Sequence, residues 1–417
     1  MESTGFSTKA VHGDVLKEDV HRAIRYPIYA GVAFHFESAE AIEDAFAFRR
    51  PAHAYSRVTN PTVEAFERKL NALENGRGAI AVASGMAAIS NVFFNLLKQG
   101  ENIVSANSLF GNTYSFFKKT LKNFGIETRF VDMDDLNQVH EAVDEKTRAL
   151  FVETISNPKM NVPDISKIVK IAHDKGKALS SGIAVIVDST VTTPYLFRGK
   201  EFGVDLVVHS STKLISGGAT SIGGVIVDLG NSRWAGFPSL EHYQRLAEMA
   251  FLVRLRTEVF RDMGACMAPQ IAYLQGLGLE TLSLRIEKVC HNTMSVAEYL
   301  DRHDKVVRVN YPGLSDSPFH ALAKKQFNNR FGGVVSFELA DRETCFRFLN
   351  RLKIIKRASN LGDNTSLIIH PASTLFREYT QKEKDTMDVT EGLIRLSVGI
   401  EDVEDLIGDL EQALYAI

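Results

Sequence analysis

Short apolar runs alternate with helical patterns through the middle of the chain. Residues 102–105, 149–153, 183–188 and 206–209 are mostly apolar runs of strand length, which is typical of strands covered on both faces. After the second run, apolar spacings of three and four residues from Ile165 onward predict an amphipathic helix. Repeated strand-helix units favour a mostly parallel sheet with right-handed crossovers. The sequence therefore predicts an α/β fold.

The chain is long enough for more than one domain. Its 417 residues exceed what one hydrophobic core usually supports. Residues 1–60 mix glycine, proline, histidine and aromatic residues without sustained periodicity, which predicts an irregular N-terminal arm. The alternation of strands and helices occupies 61–260, the predicted large domain. Residues 261–417 form the predicted smaller α/β C-terminal domain.

Composition excludes several classes of protein. A net charge of −3 gives no basis for nucleic acid or an anionic membrane as partner. Cys266, Cys290 and Cys345 are widely separated and lack metal-ligand spacing, so neither a disulfide framework nor a metal site is predicted. No apolar run approaches the roughly 20 residues of a membrane span, and the N-terminus has no signal-peptide pattern. We therefore expect a cytoplasmic protein.

A lysine follows the last of these apolar runs. The strand predicted at 206–209 leads into Ser210-Ser211-Thr212-Lys213, and functional groups in open α/β sheets lie just beyond the carboxyl ends of the strands. Burial in such a crevice lowers the pKa of an ammonium group and frees the amine to attack an aldehyde. Most single lysines are solvated loop residues. Whether Lys213 has a functional role therefore has to be judged from the residues around it.

An acidic residue ends the preceding apolar run. Asp188 closes the strand predicted at 183–188, and the 25 residues that separate it from Lys213 leave room for one crossover between neighbouring strands. A carboxylate in this place can pair with a protonated pyridine nitrogen and keep a pyridoxal 5'-phosphate (PLP) ring electron-poor. By itself, Asp188 is equally a turn or cap residue. Together with Lys213 it indicates PLP chemistry.

These segments resemble one known family. They are similar to the PLP-dependent family of cysteine and methionine metabolism in Asp188-Ser189-Thr190, Ser210-Ser211-Thr212-Lys213 and Ile215-Ser216-Gly217-Gly218. The resemblance implies a fold of the aspartate aminotransferase type and PLP as cofactor. It also implies that Lys213 is the catalytic residue and binds the cofactor as a Schiff base. The residues that it places around the cofactor are Asp188, Thr190, Ser210 and Thr212.

Two further segments resemble the phosphate-binding elements of this family. A strand predicted at 79–83 runs into Ser84-Gly85-Met86 at the start of a helix, where exposed N–H groups and the helix dipole form an anion site. By resemblance, Ser84, Gly85 and Met86 hold the PLP phosphate. Tyr55 and Arg57 resemble a pair that reaches the cofactor phosphate of the neighbouring subunit, which suits bidentate recognition by a guanidinium group. This implies a dimer with shared active sites, and the family commonly forms homotetramers from two such dimers.

The ring-stacking and substrate-binding positions are also assigned by resemblance. Phe110 stands where the family usually has a tyrosine stacked on the pyridine ring, so the stacking is kept and the hydroxyl is lost. Arg395 lies in the alternating run 393–398, opposite the apolar side chains, which suits capture of an α-carboxylate. The family uses the matching arginine in this way. Asn157 is expected to contact cofactor or substrate, and Ser359 to line the pocket.

Segments of the C-terminal part refine the resemblance. Residues 261–265 and 278–285 resemble the sulfhydrylase branch of the family more than the lyases. That branch implies γ-replacement on O-acetyl-L-homoserine, in which sulfide or a thiol displaces acetate and gives homocysteine or methionine. The acyl group is left open between acetyl and succinyl. The sulfur donor is left open among free sulfide, a small thiol and a sulfur-carrier protein.

Other functions stay open at the level of the sequence. Methionine γ-lyase and cystathionine γ-synthase use the same chemistry with a different fate of the substrate. A further class is a catalytically silent paralogue that binds PLP. The absence of the tyrosine hydroxyl at Phe110 is compatible with such a protein, whereas the lysine, aspartate and arginines named above are intact and argue against it. A nicotinamide-binding enzyme would need Gly-x-Gly-x-x-Gly after its first strand, and Gly276-Leu277-Gly278 has no third glycine.

Overall fold

The computed structural model describes residues 4–13, 21–47 and 49–417. Helices α1 to α16 of these ranges are, in order, Phe6–His12, Ala39–Phe46, Pro61–Glu74, Gly85–Leu96, Gly111–Ser115, Leu136–Ala142, Ile165–Ala178, Thr193–Leu196, Ala250–Arg254, Phe260–Met263, Pro269–Glu280, Leu282–Asp301, His320–Gln326, Arg342–Arg351, Gln381–Thr386 and Val403–Tyr415. Strands β1 to β12 are Gly78–Val82, Asn102–Ala106, Glu127–Val131, Thr147–Glu153, Ala184–Asp188, Leu206–His209, Gly224–Asp228, Arg308–Asn310, Val334–Glu338, Lys356–Arg357, Leu367–Ile369 and Leu393–Ser397. Phe116–Leu121 and Leu255–Val259 are π-helical, and the short 3₁₀ segments are Gly199–Phe202, Leu214–Ser216, Pro238–Met249 and Pro371–Ser373. None of the described helices is long and apolar enough to cross a membrane.

Seven strands form the larger sheet, in the order β1-β7-β6-β5-β4-β2-β3. Strand β7 runs antiparallel to its two neighbours, β1 and β6, and the remaining pairs of neighbouring strands in this sheet are parallel. Helices α3, α4 and α7 pack on the sheet, and every residue of β4 and β6 is buried. Parallel strands need such cover on both faces, which explains their apolar sequences. The predicted α/β fold with a mostly parallel sheet is confirmed.

A second, smaller sheet lies in the C-terminal part, with the order β10-β11-β12-β9-β8. The pair β10-β11 is parallel, and the other pairs are antiparallel. Helices α12, α14 and α16 belong to the same hydrophobic core as its strands. The predicted smaller α/β unit is therefore present, whereas the boundaries proposed after residues 60 and 260 stay a prediction.

Helix α3 shows why the periodic segments were predictable. The side chain of Asn60 accepts a hydrogen bond from the amide of Thr62 at 2.9 Å and so caps the helix, and Pro61 follows in the first turn. Its apolar residues at spacings of three and four are all buried, namely Val63, Phe66, Leu70 and Leu73. Helix α16 buries its own apolar stripe in the second core in the same way.

One helical pattern ends differently from its prediction. Spacing predicts that Tyr114, Phe117, Leu121 and Phe124 share one face of a helix. Phe117 and Leu121 are buried, but Phe124 is 57% exposed. The chain enters π-helical turns at Phe116, and Phe124 falls in the turn after the helix. Because a π-helical turn contains more residues than an α-helical turn, the regular spacing no longer keeps later residues on the buried face.

Candidate active site

The carboxyl ends of β5 and β6 bring the first group of predicted site residues together. Asp188 ends β5 and is paired with Val208 of β6. Its Oδ1 accepts a hydrogen bond from the amide of Thr190 at 2.9 Å, and the Thr190 hydroxyl accepts one from the amide of Ser210 at 2.8 Å. The amide of Lys213 then donates to the carbonyl of Ser210 at 3.1 Å. These residues therefore form one connected hydrogen-bond network at the carboxyl ends of the two strands.

The amine of Lys213 lies in a partly buried polar pocket. Its Nζ donates to Oδ1 of Asn360 at 2.5 Å. Burial, together with the nearby positive charge of Arg395, lowers the pKa of Lys213 to about 8. An appreciable fraction of the amine is consequently unprotonated near neutral pH, which nucleophilic attack and proton transfer both require.

Arg395 lies on β12 of the second sheet and contacts Asn360, the residue that also accepts from Lys213. Its Nη2 donates to the carbonyl oxygen of Asn360 at 2.9 Å. The side chain is buried, and its Nε has no hydrogen-bond partner among the described residues. Burial lowers the pKa of Arg395 to about 10, so the group is still a cation at neutral pH. A buried cation with an unused donor suits an anionic ligand.

The start of α4 contacts the lysine segment. Ser84 caps this helix by accepting a hydrogen bond from the amide of Ala87 at 3.1 Å. The N–H groups of Gly85 and Met86 lie in the first turn, where the helix itself offers them no acceptor. A Cβ atom added to Gly85 would lie 2.6 Å from Cβ of Ser210. Glycine is therefore needed for the close approach that brings the helix N-terminus beside Ser210.

Three other predicted residues occupy different surroundings. The Thr212 hydroxyl donates to the carbonyl of Gly223 at 3.1 Å and accepts from its amide at 3.0 Å, so it is already satisfied by backbone. Asn157 is buried, and its Oδ1 has no partner among the described residues. The amide of Phe110 donates to Oε1 of Glu153 at 2.7 Å, which places Phe110 next to the end of β4.

Tyr55 and Arg57 line a separate cavity of the chain. Its volume is about 950 Å³, and its lining does not include Lys213. The guanidinium carbon of Arg57 is 5.4 Å from the ring centre of Tyr55, and its Nη1 donates to the carbonyl of Arg261. Ser359 is exposed, and the next residue, Asn360, contacts the lysine instead.

Three residues at the site were missed by the sequence argument. Asn360 adjoins Ser359 in a segment that the resemblance already selected. Glu153 ends an apolar strand, which is the signal that selected Asp188. Arg285 lies on helix α12, at the end of the segment 278–285 that resembles the sulfhydrylase branch, and it donates to the carbonyls of Leu214 and Gly278, each at 2.6 Å. It therefore holds the backbone directly after Lys213.

The residues present fit PLP. Lys213 offers an amine for the aldehyde, Asp188 a partly buried carboxylate for the pyridine nitrogen, and the start of α4 with Ser210 an anion site for the phosphate. Nε of Arg395 and Oδ1 of Asn157 are buried and have no hydrogen-bond partner among the described residues, so both can bind a ligand. The fold and this set of groups define a PLP-dependent enzyme with a fold of the aspartate aminotransferase type.

Comparisons with known proteins give the family. The sequence matches the family described as Cys/Met metabolism PLP-dependent enzyme over residues 7–415. It is 40% identical to O-acetyl-L-homoserine sulfhydrylase 1 of Thermus thermophilus, over 98% of this chain and 99% of that protein. It is 39% identical to L-methionine gamma-lyase of Fusobacterium nucleatum, over 100% of both chains. A Campylobacter jejuni crystal structure, provisionally named O-acetylhomoserine (thiol)-lyase and containing N'-pyridoxyl-lysine-5'-monophosphate, matches with a TM-score of 0.94 and 37% identity, over 99% of this chain and 100% of that chain. The chain belongs to this family of PLP-dependent enzymes.

The close approach of Gly85 to Ser210 predicts a defect in cofactor binding. Gly85→Ala should weaken PLP binding at least ~10-fold, or about 1.4 kcal/mol, because the new methyl group displaces Ser210 from the start of α4. An absorbance titration of the apoenzyme with PLP measures the affinity, and far-ultraviolet circular dichroism checks the fold. Gly276→Ala in α11 is the matched control, since a Cβ there meets nothing within 4 Å. Equal affinities of the two variants would contradict the expected role of Gly85.

The lowered pKa of Lys213 predicts how cofactor capture depends on pH. Only the unprotonated amine attacks an aldehyde, so the rate at which apoenzyme and PLP develop yellow absorbance should rise with pH and reach its midpoint near 8. An ordinary lysine has a pKa of about 10.4. The same reaction with Nα-acetyl-lysine corrects for the titration of PLP itself, and Lys213→Ala should give no such absorbance. A corrected midpoint close to that of free lysine would show that the pocket does not lower this pKa.

Proposed function

We propose that this enzyme catalyses γ-replacement on O-acetyl-L-homoserine with sulfide or a small thiol. In the net reaction the bond between Cγ and the ester oxygen breaks, acetate leaves, and a bond between Cγ and sulfur forms. With sulfide the product is homocysteine, and with methanethiol it is methionine. Such a reaction would serve methionine biosynthesis.

The observation that carries the proposal is the bridge that Asn360 forms between Lys213 and Arg395. Its side-chain oxygen accepts from Lys213 at 2.5 Å, and its carbonyl accepts from Arg395 at 2.9 Å. An amine and a buried guanidinium therefore lie within the reach of one amino acid. Because a guanidinium group binds carboxylates in a defined orientation, the arrangement suits an α-amino acid whose Cα faces the amine.

Each residue of the pocket has a defined task in this proposal. Arg395 binds the α-carboxylate and orients the substrate. Lys213, with its pKa near 8, takes protons from Cα and Cβ and later returns them. Asp188 stabilises a protonated pyridine nitrogen. When bound, PLP supplies the electron sink for charge that develops beside the α-carbon.

Phe110 favours replacement of an acyl group over elimination of a thiol. The family usually has a tyrosine at this position, and the hydroxyl is absent here. Acetate leaves readily as an anion because carboxylic acids have pKa values of about 4, whereas thiols have values of about 8.5 and leave better when a donor protonates them. A pocket that lacks this hydroxyl is therefore better suited to an O-acyl substrate.

Methionine γ-lyase is the second candidate, because a protein of that name is as similar to this chain as the sulfhydrylase is. The two relatives are 39% and 40% identical to it. Elimination from methionine would use the same amine and arginine, would expel methanethiol, and would give 2-oxobutyrate and ammonia after hydrolysis by one water molecule. Cystathionine γ-synthase differs from the first candidate only in using cysteine as the nucleophile. The amino acid substrate and the nucleophile therefore have to be tested separately.

The proposal predicts a dependence on both substrates. With O-acetyl-L-homoserine and sulfide, the enzyme should form homocysteine with a kcat/KM at least ~100-fold above that for elimination from L-methionine. Thiol detection after separation measures homocysteine, and a coupled dehydrogenase assay measures 2-oxobutyrate. Lys213→Ala should lose both activities. Accumulation of 2-oxobutyrate from methionine at the higher rate would assign the enzyme to the lyases instead.

Phe110→Tyr separates the two reactions further. A restored hydroxyl should raise elimination from methionine by about 10²-fold, the lower end of general acid catalysis, and change replacement on the acetyl ester much less.

We further propose that the active sites are shared between two chains. The N-terminal arm exposes large apolar side chains, among them Ile24, Val32 and Phe46 at 100%, 59% and 67%. Monomeric proteins rarely expose so many together, and such surfaces mark contacts between proteins. Tyr55 and Arg57 are on the same arm and line a cavity whose lining does not include Lys213. A two-fold dimer that places them at the partner's cofactor phosphate accounts for both features.

Mixed dimers test this arrangement. An Arg57→Ala chain and a Lys213→Ala chain should each be nearly inactive alone. When they are coexpressed with different tags, half of the randomly formed dimers contain both chains and have one intact site, so activity should return to about a quarter of the wild-type value. Purification through both tags isolates these dimers. Absence of recovery in doubly tagged material would mean that each site is built from one chain.

A further inference from the structure

Glu153 and Asp188 form a pair of carboxyl groups at the edge of the larger sheet. They end the parallel strands β4 and β5 and are directly paired in its register. Directly paired residues of neighbouring strands point to the same face, with Cβ atoms about 5 Å apart. Glu153 is buried. Two carboxyl groups this close do not both ionise easily when one of them is buried.

Their surroundings distinguish the two acids. Asp188 accepts hydrogen bonds from both the amide and the hydroxyl of Thr190, and the charge of His209 on β6 also favours its ionised form. Glu153 accepts from the amides of Phe110 and Asn157. No lysine, arginine or histidine of the described ranges forms an ion pair with Glu153.

Two further acids line a cavity with Glu153. Asp132 and Asp134, which follow β3, line a small cavity of about 30 Å³ together with Glu153. The charge of Lys159 acts on Asp134, which is hydrogen-bonded to Asn161. The charged side chains that line this cavity are all acids, and the charge that acts on Glu153 is that of Asp188.

We propose that Glu153 is a positioning residue that keeps its proton, so that its carboxyl group fixes the backbone of Phe110 while Asp188 alone supplies negative charge to the cofactor. A neutral acid still accepts the Phe110 amide through its carbonyl oxygen. It thereby sets the place of the aromatic ring expected to stack on the pyridine. The inference rests on the roles proposed for Phe110 and Asp188 and is independent of the nucleophile that the enzyme uses.

The electrostatic surroundings agree with this assignment. Burial, and then the charge of Asp188, raise the pKa of Glu153 well above its ordinary value. Burial raises the pKa of Asp188 as well, but the hydrogen bonds of Thr190 and the charge of His209 oppose that rise. The amides of Phe110 and Asn157 oppose the rise for Glu153 in the same way, so the charges make the difference: that of Asp188 favours a protonated Glu153, and that of His209 favours an ionised Asp188.

The first test uses the apoenzyme and needs no cofactor. A glutamate whose pKa is raised by folding contributes stability below its unfolded pKa of about 4.3, and this contribution is lost as the pH rises toward the folded value. Glu153→Gln cannot ionise and escapes this loss. The melting temperature of Glu153→Gln minus that of the wild type should therefore increase from pH 5 to pH 8. Glu141→Gln, an exposed glutamate on α6, should give a difference that does not change with pH. A flat or falling difference for Glu153→Gln would overturn the retained proton.

The second test separates positioning from charge in the enzyme loaded with PLP. Glu153→Gln keeps an acceptor for the Phe110 amide and should retain the visible circular dichroism of the cofactor and its pH titration. Glu153→Leu has similar volume and no acceptor, so it should lose most of that dichroism and bind PLP at least ~10-fold more weakly. Equal spectra of the two variants would exclude the positioning role. A titration shifted by more than about one pH unit in Glu153→Gln would mean that Glu153 is charged.

Failure of the proposed reaction would give a different result. It would change the products of turnover and leave both the apoenzyme melting curves and the cofactor spectra as predicted. The glutamine variant keeps the inference testable even if Glu153→Leu does not fold.

Discussion

The parallel alignment of β4, β5 and β6 is the constraint on which the site depends. Their carboxyl ends lie side by side in one register, so Glu153, Asp188 and the segment that follows His209 meet at one edge. The strands are buried on both faces, and a shift of register by one residue would turn polar ends into the core. Strand β7 is antiparallel, so its first residue, not its last, lies at this end of the sheet. That residue is Gly224, which packs against Ser84 so closely that an added Cβ would lie 2.1 Å from the carbonyl oxygen of Ser84.

Burial acts in opposite directions on the acids and bases of the pocket. It lowers the pKa of Lys213 and Arg395 and raises the pKa of Glu153 and Asp188, because the charged form loses hydration in each case. The two cations share a neutral acceptor, Asn360, which accepts one hydrogen bond from each without adding charge. One environment thus gives an amine that exchanges protons near neutrality and a guanidinium that stays charged. These are the two properties that amino acid chemistry at this site requires.

The two halves of the site come from different sheets and are joined by polar contacts. Lys213 follows β6, and Arg395 lies on β12. Arg285 donates to the carbonyl of Leu214 at 2.6 Å, and Asn364 donates to that of Gly217 at 2.8 Å, so the segment after the lysine is held by the C-terminal part of the chain. The separation of amine and guanidinium is therefore set by the packing of the two units.

The alternation of apolar runs and helical spacings determined the α/β fold, because periodicity reports which face of a single element is buried. Residue type at strand ends also selected Asp188 and Lys213, which lie at the carboxyl ends of the neighbouring strands β5 and β6, and their roles stay a prediction. Periodicity failed where π-helical turns precede Phe124. The sequence did not select Asn360, which contacts a lysine 147 residues away, or Glu153, whose neighbour is set by the register of another strand. Such contacts join distant parts of the chain, and only the tertiary packing decides which of them form.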